Sequence, residues 1–397
     1  MKEVEYLYDL IKLSTLGSEL MYAVSLMREL GRKKQLNGDD NEAALKLPLN
    51  SAEFQRIISN NPNLTAIFKG QNEDADLQFS AVDHMKERND RYIKYIKEEI
   101  GGAMEEDIIQ GSEVVYFNDQ HDKGYREQTQ MVYGISVNKI EKRVNVIFRG
   151  SRTPADWAAN KQFNGIAVQN PVKFLDEFAN DSSLPDNVCI HQGFWEYLNQ
   201  PSSGDGMDIF DRLWPILKKN PGFSLFVTGH SLGGALASLF ALRCACLEDI
   251  PKPVRCITHA QPLVGDFRLL QSVRKLEESN NLILLRTRNC EDGVPAVPAF
   301  SPGPKFTYTH IGMELKMYDD NRSKNIKLSK SEKKVKNFAL NFKALIKLFV
   351  IKAGQDKQKR AHSLGEHIRR LEKYEKEIRS LGDKLEDIVS TKSAVIL

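Results

Sequence analysis

The stretch FSLFVTGHSLGGALASLFALRCACLEDI, residues 223–250, contains an apolar run, a glycine-rich turn and an Ala/Leu-rich run in immediate succession. The first run predicts a buried strand and the last a helix. Between them, Gly229-His230-Ser231-Leu232-Gly233 matches the pattern G-x-S-x-G. In that strand–turn–helix setting the pattern is typical of a serine nucleophile held at a sharp turn, where small residues let strand and helix pass closely.

The chain on either side of this turn alternates in the same way. Upstream, β-rich runs end at Gly150; downstream, VRCITHA (254–260) precedes a predicted helix from about Phe267 to Ser279, and NLILLRT (281–287) follows. Apolar strands that alternate with helices indicate a mostly parallel sheet covered by helices on both faces. We therefore predict an α/β fold, with a further helix over residues 1–30 and a charged helix over 361–397.

Composition narrows the class of protein. The 397 residues carry 56 Lys+Arg and 53 Asp+Glu, a net charge of +3, which argues against a chain-wide nucleic-acid surface. Five cysteines are too few for a disulfide framework in so long a chain. No signal-peptide pattern and no membrane-spanning apolar stretch is evident, so we expect a cytoplasmic protein.

An activated serine needs a base, an orienting acid and a site for the oxyanion. In a G-x-S-x-G fold the acid and the histidine follow the serine in the chain. Two downstream acids stand at predicted strand ends, Asp266 and Asp292. The downstream histidines are His259, His310, His362 and His367. The chemistry of these residue types does not choose among them.

Five blocks of sequence resemble, in order, those of the class 3, or fungal-type, triacylglycerol lipases. The blocks are VIFRGS (146–151), HQGFWEYL (191–198), VTGHSLGGALASL (227–239), HAQPLVGD (259–266) and NCEDGVPAVP (289–298). The resemblance spans about residues 112–375 and implies an α/β-hydrolase fold. We accordingly divide the chain into a helical N-terminal extension (1–84), a hydrolase domain (85–375) and a C-terminal helical tail (376–397).

The resemblance also implies roles. Ser231 takes the position of the nucleophile, and Asp292 that of the acid, because the family carries an Asp shortly before a Val-Pro pair. Glu291 is adjacent but one step out of that pattern. The amides of Leu232 and Ser151 take the positions of the oxyanion hole.

The resemblance assigns the catalytic base less directly. His310 lies in Y-x-H-x-G, which resembles a structural block of the family, whereas the family's catalytic histidine comes later and opens a helix. His362, in AHSLGEH (361–367), holds that later position. His367 stands where relatives often carry an aromatic residue, so His310 and His367 are kept as alternatives to His362.

Two surface features bear on access to a substrate. In the family a lid follows F-R-G-S, here residues 152–163 with Trp157 as its apolar contact; a surface helix with Trp157 turned to the core fits equally well. The second feature is a basic insert at about 322–360, with 13 Lys+Arg and two acidic residues. Its Val335, Phe338, Phe342, Leu345 and Phe349 share one helix face, which suits core packing or an anionic membrane.

We therefore expect a serine hydrolase that cleaves carboxylic esters of glycerolipids at a lipid surface, without a metal or an organic cofactor. It is expected in the cytoplasm, with peripheral contact to a membrane or lipid droplet through the basic insert. The alternative is a lipase-like protein without catalysis that serves as a signalling or binding module. A peptide-cleaving serine hydrolase is disfavoured by the lipase-like blocks.

Overall fold

A computed structural model gives the fold of the chain. It describes residues 6–33, 112–118, 131–151, 154–200, 206–298, 307–319, 325–331, 355–389 and 395–396. The amphipathic pattern predicted over 335–349 lies outside the described residues, as do residues 34–111.

Within these ranges, nine strands form one sheet in the order β1-β2-β3-β6-β7-β8-β9-β10-β11. Their bounds are β1 Ser112–Asn118, β2 Tyr133–Asn138, β3 Arg143–Phe148, β6 Ser224–His230, β7 Val254–His259, β8 Leu282–Asn289, β9 Met313–Met317, β10 Ile326–Lys330 and β11 Val395–Ile396. The central run from β3 to β9 is parallel, and the outer strands pair antiparallel. A separate antiparallel pair joins β4 Gly165–Gln169 to β5 Asn187–His191.

Ten α-helices in the described part of the chain accompany these strands. They are α1 Leu7–Lys33, α2 Pro154–Lys161, α3 Gln192–Leu198, α4 Ile209–Lys219, α5 Leu232–Ala245, α6 Phe267–Glu278, α7 Gln355–His362, α8 Leu364–Lys373, α9 Glu375–Arg379 and α10 Leu385–Val389. No helix in the described part of the chain combines the length and apolar character needed to cross a membrane.

The central strands bury both of their faces. Because side chains alternate along a strand, Leu225 and Val227 of β6 enter the core under α5, whereas Phe226 enters a second core on the other face. β8 divides its residues in the same way. The continuous apolar runs of the sequence are explained by this double burial, and the predicted α/β-hydrolase architecture is confirmed.

The first helix is part of the second core. Leu7, Leu10 and Ile11 of α1 pack there with strand residues and with the apolar faces of α8, α9 and α10. The amide of Leu7 also donates to the carbonyl of Asp383, at 2.8 Å. The described part of the predicted N-terminal extension therefore packs directly on the sheet.

The C-terminal region differs from the single charged helix that we expected. Four short helices, α7 to α10, are followed by β11, which pairs with β10 at the sheet edge. Ser363 lies between α7 and α8 and caps α8, accepting a hydrogen bond from the amide of Glu366 at 3.3 Å. The charge pattern concealed these breaks because α8 and α9 expose charged residues such as Lys373 and Arg379, while Tyr374, Ile378 and Leu385 are buried. β10 likewise converts the first part of the basic insert into a sheet strand.

The strands β5 and β7, like β6, each end in a buried histidine. His259 closes β7, with its Nδ1 2.7 Å from Thr287 Oγ1 and its Nε2 3.0 Å from Ser14 Oγ of α1. His191 closes β5 and stacks on Phe194, with ring centroids 3.7 Å apart. Burial lowers the pKa of each to about 3. Both are therefore neutral in the folded protein near neutral pH.

We predict that Ile11→Ala lowers the free energy of unfolding by about 2–4 kcal/mol, because Ile11 is fully buried and its truncation leaves a cavity. Urea denaturation followed by circular dichroism measures the change. The matched control is Lys12→Ala, next to it on α1, which removes only a surface ion pair with Glu372 and should cost less than about 1 kcal/mol. Equal small effects would show that α1 does not contribute to the core.

We predict that the protein loses stability as the pH falls below about 6.5. The unfolded chain takes up protons at His191 and His259 there, whereas the folded chain does not until about pH 3. Each histidine then contributes a slope of up to about 1.4 kcal/mol per pH unit, with stability higher at higher pH. His259→Gln should remove one such slope between pH 6.5 and 5 in urea denaturation, and an unchanged slope would contradict the prediction.

Candidate active site

The turn between β6 and α5 holds Ser231 in an unusual backbone conformation. Its φ is 58° and its ψ is −125°, a region that side-chain-bearing residues rarely adopt and that costs about 1–3 kcal/mol. The Ser231 amide donates to the carbonyl of His259 at 2.9 Å, which anchors the turn to β7. The serine hydroxyl is thereby raised at the carboxyl edge of the sheet.

The glycines of the motif permit the crossing of strand and helix. A Cβ atom on Gly229 would lie 2.3 Å from the carbonyl oxygen of Gly233, and one on Gly233 would lie 2.4 Å from that of Phe148. Both distances are shorter than any real Cβ contact, so side chains would force the backbones apart. The close packing also brings the start of α5 against the end of β3.

His362 lies between the other two residues that the sequence singled out. Its Nε2 is 3.0 Å from Ser231 Oγ, and its Nδ1 is 2.9 Å from Asp292 Oδ2. His362 ends α7, immediately before Ser363 caps α8. Its side chain is 17% exposed, whereas the Asp292 side chain is 1% exposed, so His362 is partly open to solvent and Asp292 lies beneath it.

The hydrogen bonds of Asp292 fix the proton arrangement. Asp292 follows β8, and its Oδ1 accepts a hydrogen bond from the amide of Val294 at 2.9 Å. The ionised carboxylate can only accept, so Nδ1 of His362 carries the ring proton that faces it. Nε2 of the neutral imidazole is then free to accept a proton from Ser231. This is the protonation pattern of a general base.

The two predicted oxyanion residues lie on segments that follow two neighbouring strands, β3 and β6. Leu232 opens α5, where the first amides have no partner within their own helix. Ser151 follows the end of β3, the strand that pairs with β6, and its Oγ accepts a hydrogen bond from Asn160 Nδ2 at 2.8 Å. Both amides thus belong to backbone segments at the same edge of the sheet as Ser231.

The alternative acid and bases have other contacts. Asp266 caps α6 through the amide of Leu269 and pairs with Arg268 at 2.6 Å. His310 is buried, and its Nε2 donates to the carbonyl of Pro295 at 2.7 Å. His367 is fully buried, with its ring edge-on to that of His230 at 6.2 Å. Neither His310 nor His367 has a hydrogen bond to Ser231 within the described ranges.

Sequence reasoning missed two side chains that hold this arrangement. Asn289, the last residue of β8, donates through Nδ2 to the carbonyl of Ala361 at 2.7 Å. Arg370 of α8 pairs with Glu291 and with Glu366, each at 2.8 Å. Asn289 could have been identified as a polar residue at the end of an apolar strand. No local sequence pattern distinguishes Arg370. Glu291 is thus engaged by an arginine while its neighbour Asp292 faces the imidazole.

The segment proposed as a lid contains α2. Asp156 of this helix is buried, pairs with Arg149 at 3.0 Å and accepts a hydrogen bond from the hydroxyl of Tyr197 at 2.8 Å. Burial and the Asp156 charge raise the pKa of Tyr197, so it stays a donor. These contacts anchor the first turn of α2 in the core. The side chain of Trp157 lies outside the described residues, and its role stays a prediction.

The chain is similar to known lipases and phospholipases. Residues 145–301 match the family of lipases of class 3. The chain is 27% identical over 210 residues to phospholipase A1-II 3 of Oryza sativa subsp. indica, covering 49% of this chain and 46% of the relative. It is 29% identical over 202 residues to the secreted mono- and diacylglycerol lipase A of Penicillium cyclopium, covering 51% and 55%.

Among solved structures, lipase II from Rhizopus niveus is 23% identical, with a TM-score of 0.42 over 57% of this chain and 74% of that one. The chain spans about half the length of the two sequence relatives. The matched range contains Ser231, Asp292 and both predicted oxyanion residues, and His362 lies beyond it. Residues 145–301 are thus similar to the class 3 lipases, and the rest of the chain lies outside this match.

Proposed function

We propose that this protein is a serine hydrolase that cleaves carboxylic esters of glycerolipids. The observation that carries the proposal is the position of His362, with one ring nitrogen 3.0 Å from Ser231 Oγ and the other 2.9 Å from Asp292 Oδ2. These distances suit proton transfer along a serine–histidine–aspartate line. The similarity of residues 145–301 to class 3 lipases supports the same chemistry.

In the proposed reaction, Ser231 Oγ attacks the ester carbonyl while His362 Nε2 takes its proton. The negative charge that develops on the carbonyl oxygen is stabilised by the amides of Leu232 and Ser151. His362 then gives its proton to the leaving alcohol, which leaves an acyl-enzyme. Water activated by His362 cleaves the acyl-enzyme and regenerates the serine. Asp292 holds the imidazole orientation and stabilises the imidazolium throughout.

The substrate class rests on the names of the relatives. One relative is a phospholipase A1 and another a mono- and diacylglycerol lipase, so both cleave acyl esters of glycerol. We propose the same bond for this chain, and the acyl position and headgroup are left open by these two names. Contact of the basic insert with an anionic membrane and a cytoplasmic location stay predictions from the sequence.

We predict that Ser231→Ala, Asp292→Asn and His362→Ala each lower the rate of ester hydrolysis by about a thousandfold or more, since each removes a member of one proton-transfer unit. Hydrolysis of p-nitrophenyl butyrate and of emulsified diacylglycerol measures the effect. Labelling of Ser231 by a fluorophosphonate should also fail in Ser231→Ala.

The matched control is His310→Gln, which keeps a donor for the Pro295 carbonyl and has no hydrogen bond to Ser231 among the described contacts. It should retain most of the wild-type rate. If His310→Gln loses activity while His362→Ala stays active, His310 rather than His362 is the catalytic base. Wild-type protein that neither hydrolyses esters nor labels with a fluorophosphonate would favour the binding module instead.

We also predict selectivity for lipid esters. Mono- and diacylglycerol emulsions and phosphatidylcholine vesicles should release fatty acid in the presence of the wild type, and this release should cease with Ser231→Ala. The wild type should not cleave a casein-derived peptide mixture. Mass spectrometry of the peptides after incubation measures this. Peptide cleavage that depends on Ser231, without fatty acid release, would contradict the proposal.

A further inference from the structure

His230, the residue before the proposed nucleophile, contacts His362 rather than a substrate. Its ring lies 4.7 Å from the His362 ring, measured between centroids, and its Nε2 is 2.7 Å from the backbone carbonyl oxygen of His362. His230 is 3% exposed. This contact joins two points that are 132 residues apart in sequence.

The partners of His230 determine its tautomer. A carbonyl oxygen can only accept, so Nε2 of His230 carries a proton and donates it to His362. Burial, with His362 and His367 nearby, holds the pKa of His230 well below its ordinary value, so the ring is neutral and has a single N–H. The other nitrogen, Nδ1, must therefore accept a hydrogen bond.

Tyr22 of α1 supplies that hydrogen bond. Its hydroxyl is 3.0 Å from His230 Nδ1 and donates to it, because Nδ1 has no proton of its own. Tyr22 is itself buried. The hydroxyl thus fixes the ring proton of His230 on Nε2, on the side where His362 needs a donor.

The same tyrosine lies against the backbone that leads to the predicted oxyanion residue Ser151. A Cβ atom on Gly150 would fall 1.9 Å from the Tyr22 hydroxyl oxygen and 2.6 Å from the carbonyl oxygen of His230. One turn further along α1, Ser25 Oγ accepts a hydrogen bond from the guanidinium of Arg149. Two successive turns of α1 therefore contact the end of β3.

From these contacts we propose that α1 positions the base of the site, with Tyr22 acting through His230 on the backbone of His362. Neither Tyr22 nor His230 touches the reacting atoms; both are positioning residues. The inference rests on the proposed function, since it concerns the same serine and histidine. Asn289 holds the neighbouring carbonyl of Ala361, so two consecutive peptide groups around His362 are each fixed by a side chain.

The test compares Tyr22→Phe with Tyr8→Phe in the full chain. Tyr22→Phe removes one oxygen atom and leaves the ring packing, so His230 loses the partner that sets its tautomer. Tyr8 is also buried on α1, about 21 Å away along the helix axis. We expect Tyr22→Phe to lower kcat for p-nitrophenyl butyrate, and the rate of fluorophosphonate labelling at Ser231, by about three- to tenfold with KM unchanged. Tyr8→Phe should leave both rates at the wild-type level.

A second pair of variants distinguishes the hydrogen bond of His230 to His362 from the packing of its side chain. His230→Leu removes the donor to the His362 carbonyl, whereas His230→Gln restores an amide N–H at a similar reach. We expect labelling to fall about ten- to a hundredfold in His230→Leu and to recover at least in part in His230→Gln. If His230→Leu does not fold, as judged by thermal unfolding, Tyr22→Phe and His230→Gln decide the question.

The outcomes distinguish this inference from the proposed function. Wild-type labelling with no change in Tyr22→Phe, or an equal fall in Tyr8→Phe, would overturn the positioning role and leave the serine hydrolase intact. A rise in KM at constant kcat would overturn it as well, because it would assign Tyr22 to substrate binding. Failure of the wild type to label would overturn the proposed function, and this inference with it.

Discussion

The crossing of β6 and α5 at Ser231 is the constraint on which the rest of the site depends. A positive φ at a serine is unfavourable, so the turn persists only because its surroundings hold it. Gly229 and Gly233 remove the side chains that would separate strand and helix, and the His259 carbonyl holds the Ser231 amide. Once the turn is fixed, the neighbouring parallel strands bring the residues after β3 and β8 to the same edge.

Asp292 and His362, the proposed acid and base, are held by different kinds of contact. Asp292 follows directly from the end of β8 and is buried, so its position is set by the sheet. His362 arrives from a separate helical segment and is fixed by side chains that reach its backbone: Asn289 at Ala361, and His230 at His362 itself. Arg370 joins Glu291 to Glu366 nearby. His362 is therefore held by side chains that bind its backbone, although no strand carries it.

Much of the fold could be predicted from the sequence because its signals are local. The strands β3, β6, β7 and β8, and the turn at Ser231, each lie within a short run of apolar residues and glycines. The choice of His362 over His310 depended on the resemblance to a family, since the residue types alone left four histidines open. Tyr22 could not be found, because its partner His230 is 208 residues away. The C-terminal helices were merged in our prediction because a charged outer face looks alike whether a helix is long or interrupted.

The packing of α1 against the C-terminal helices affects the order in which the site can form during synthesis. Ser231 is synthesised 131 residues before His362. The Leu7 amide likewise cannot donate its hydrogen bond until Asp383 has been synthesised. A nascent chain can form the parallel strands around the serine while it still lacks the base and the helices that cover the second core. Contacts this distant in sequence are slow to form. The proposed base therefore joins the site only after the proposed nucleophile has been synthesised.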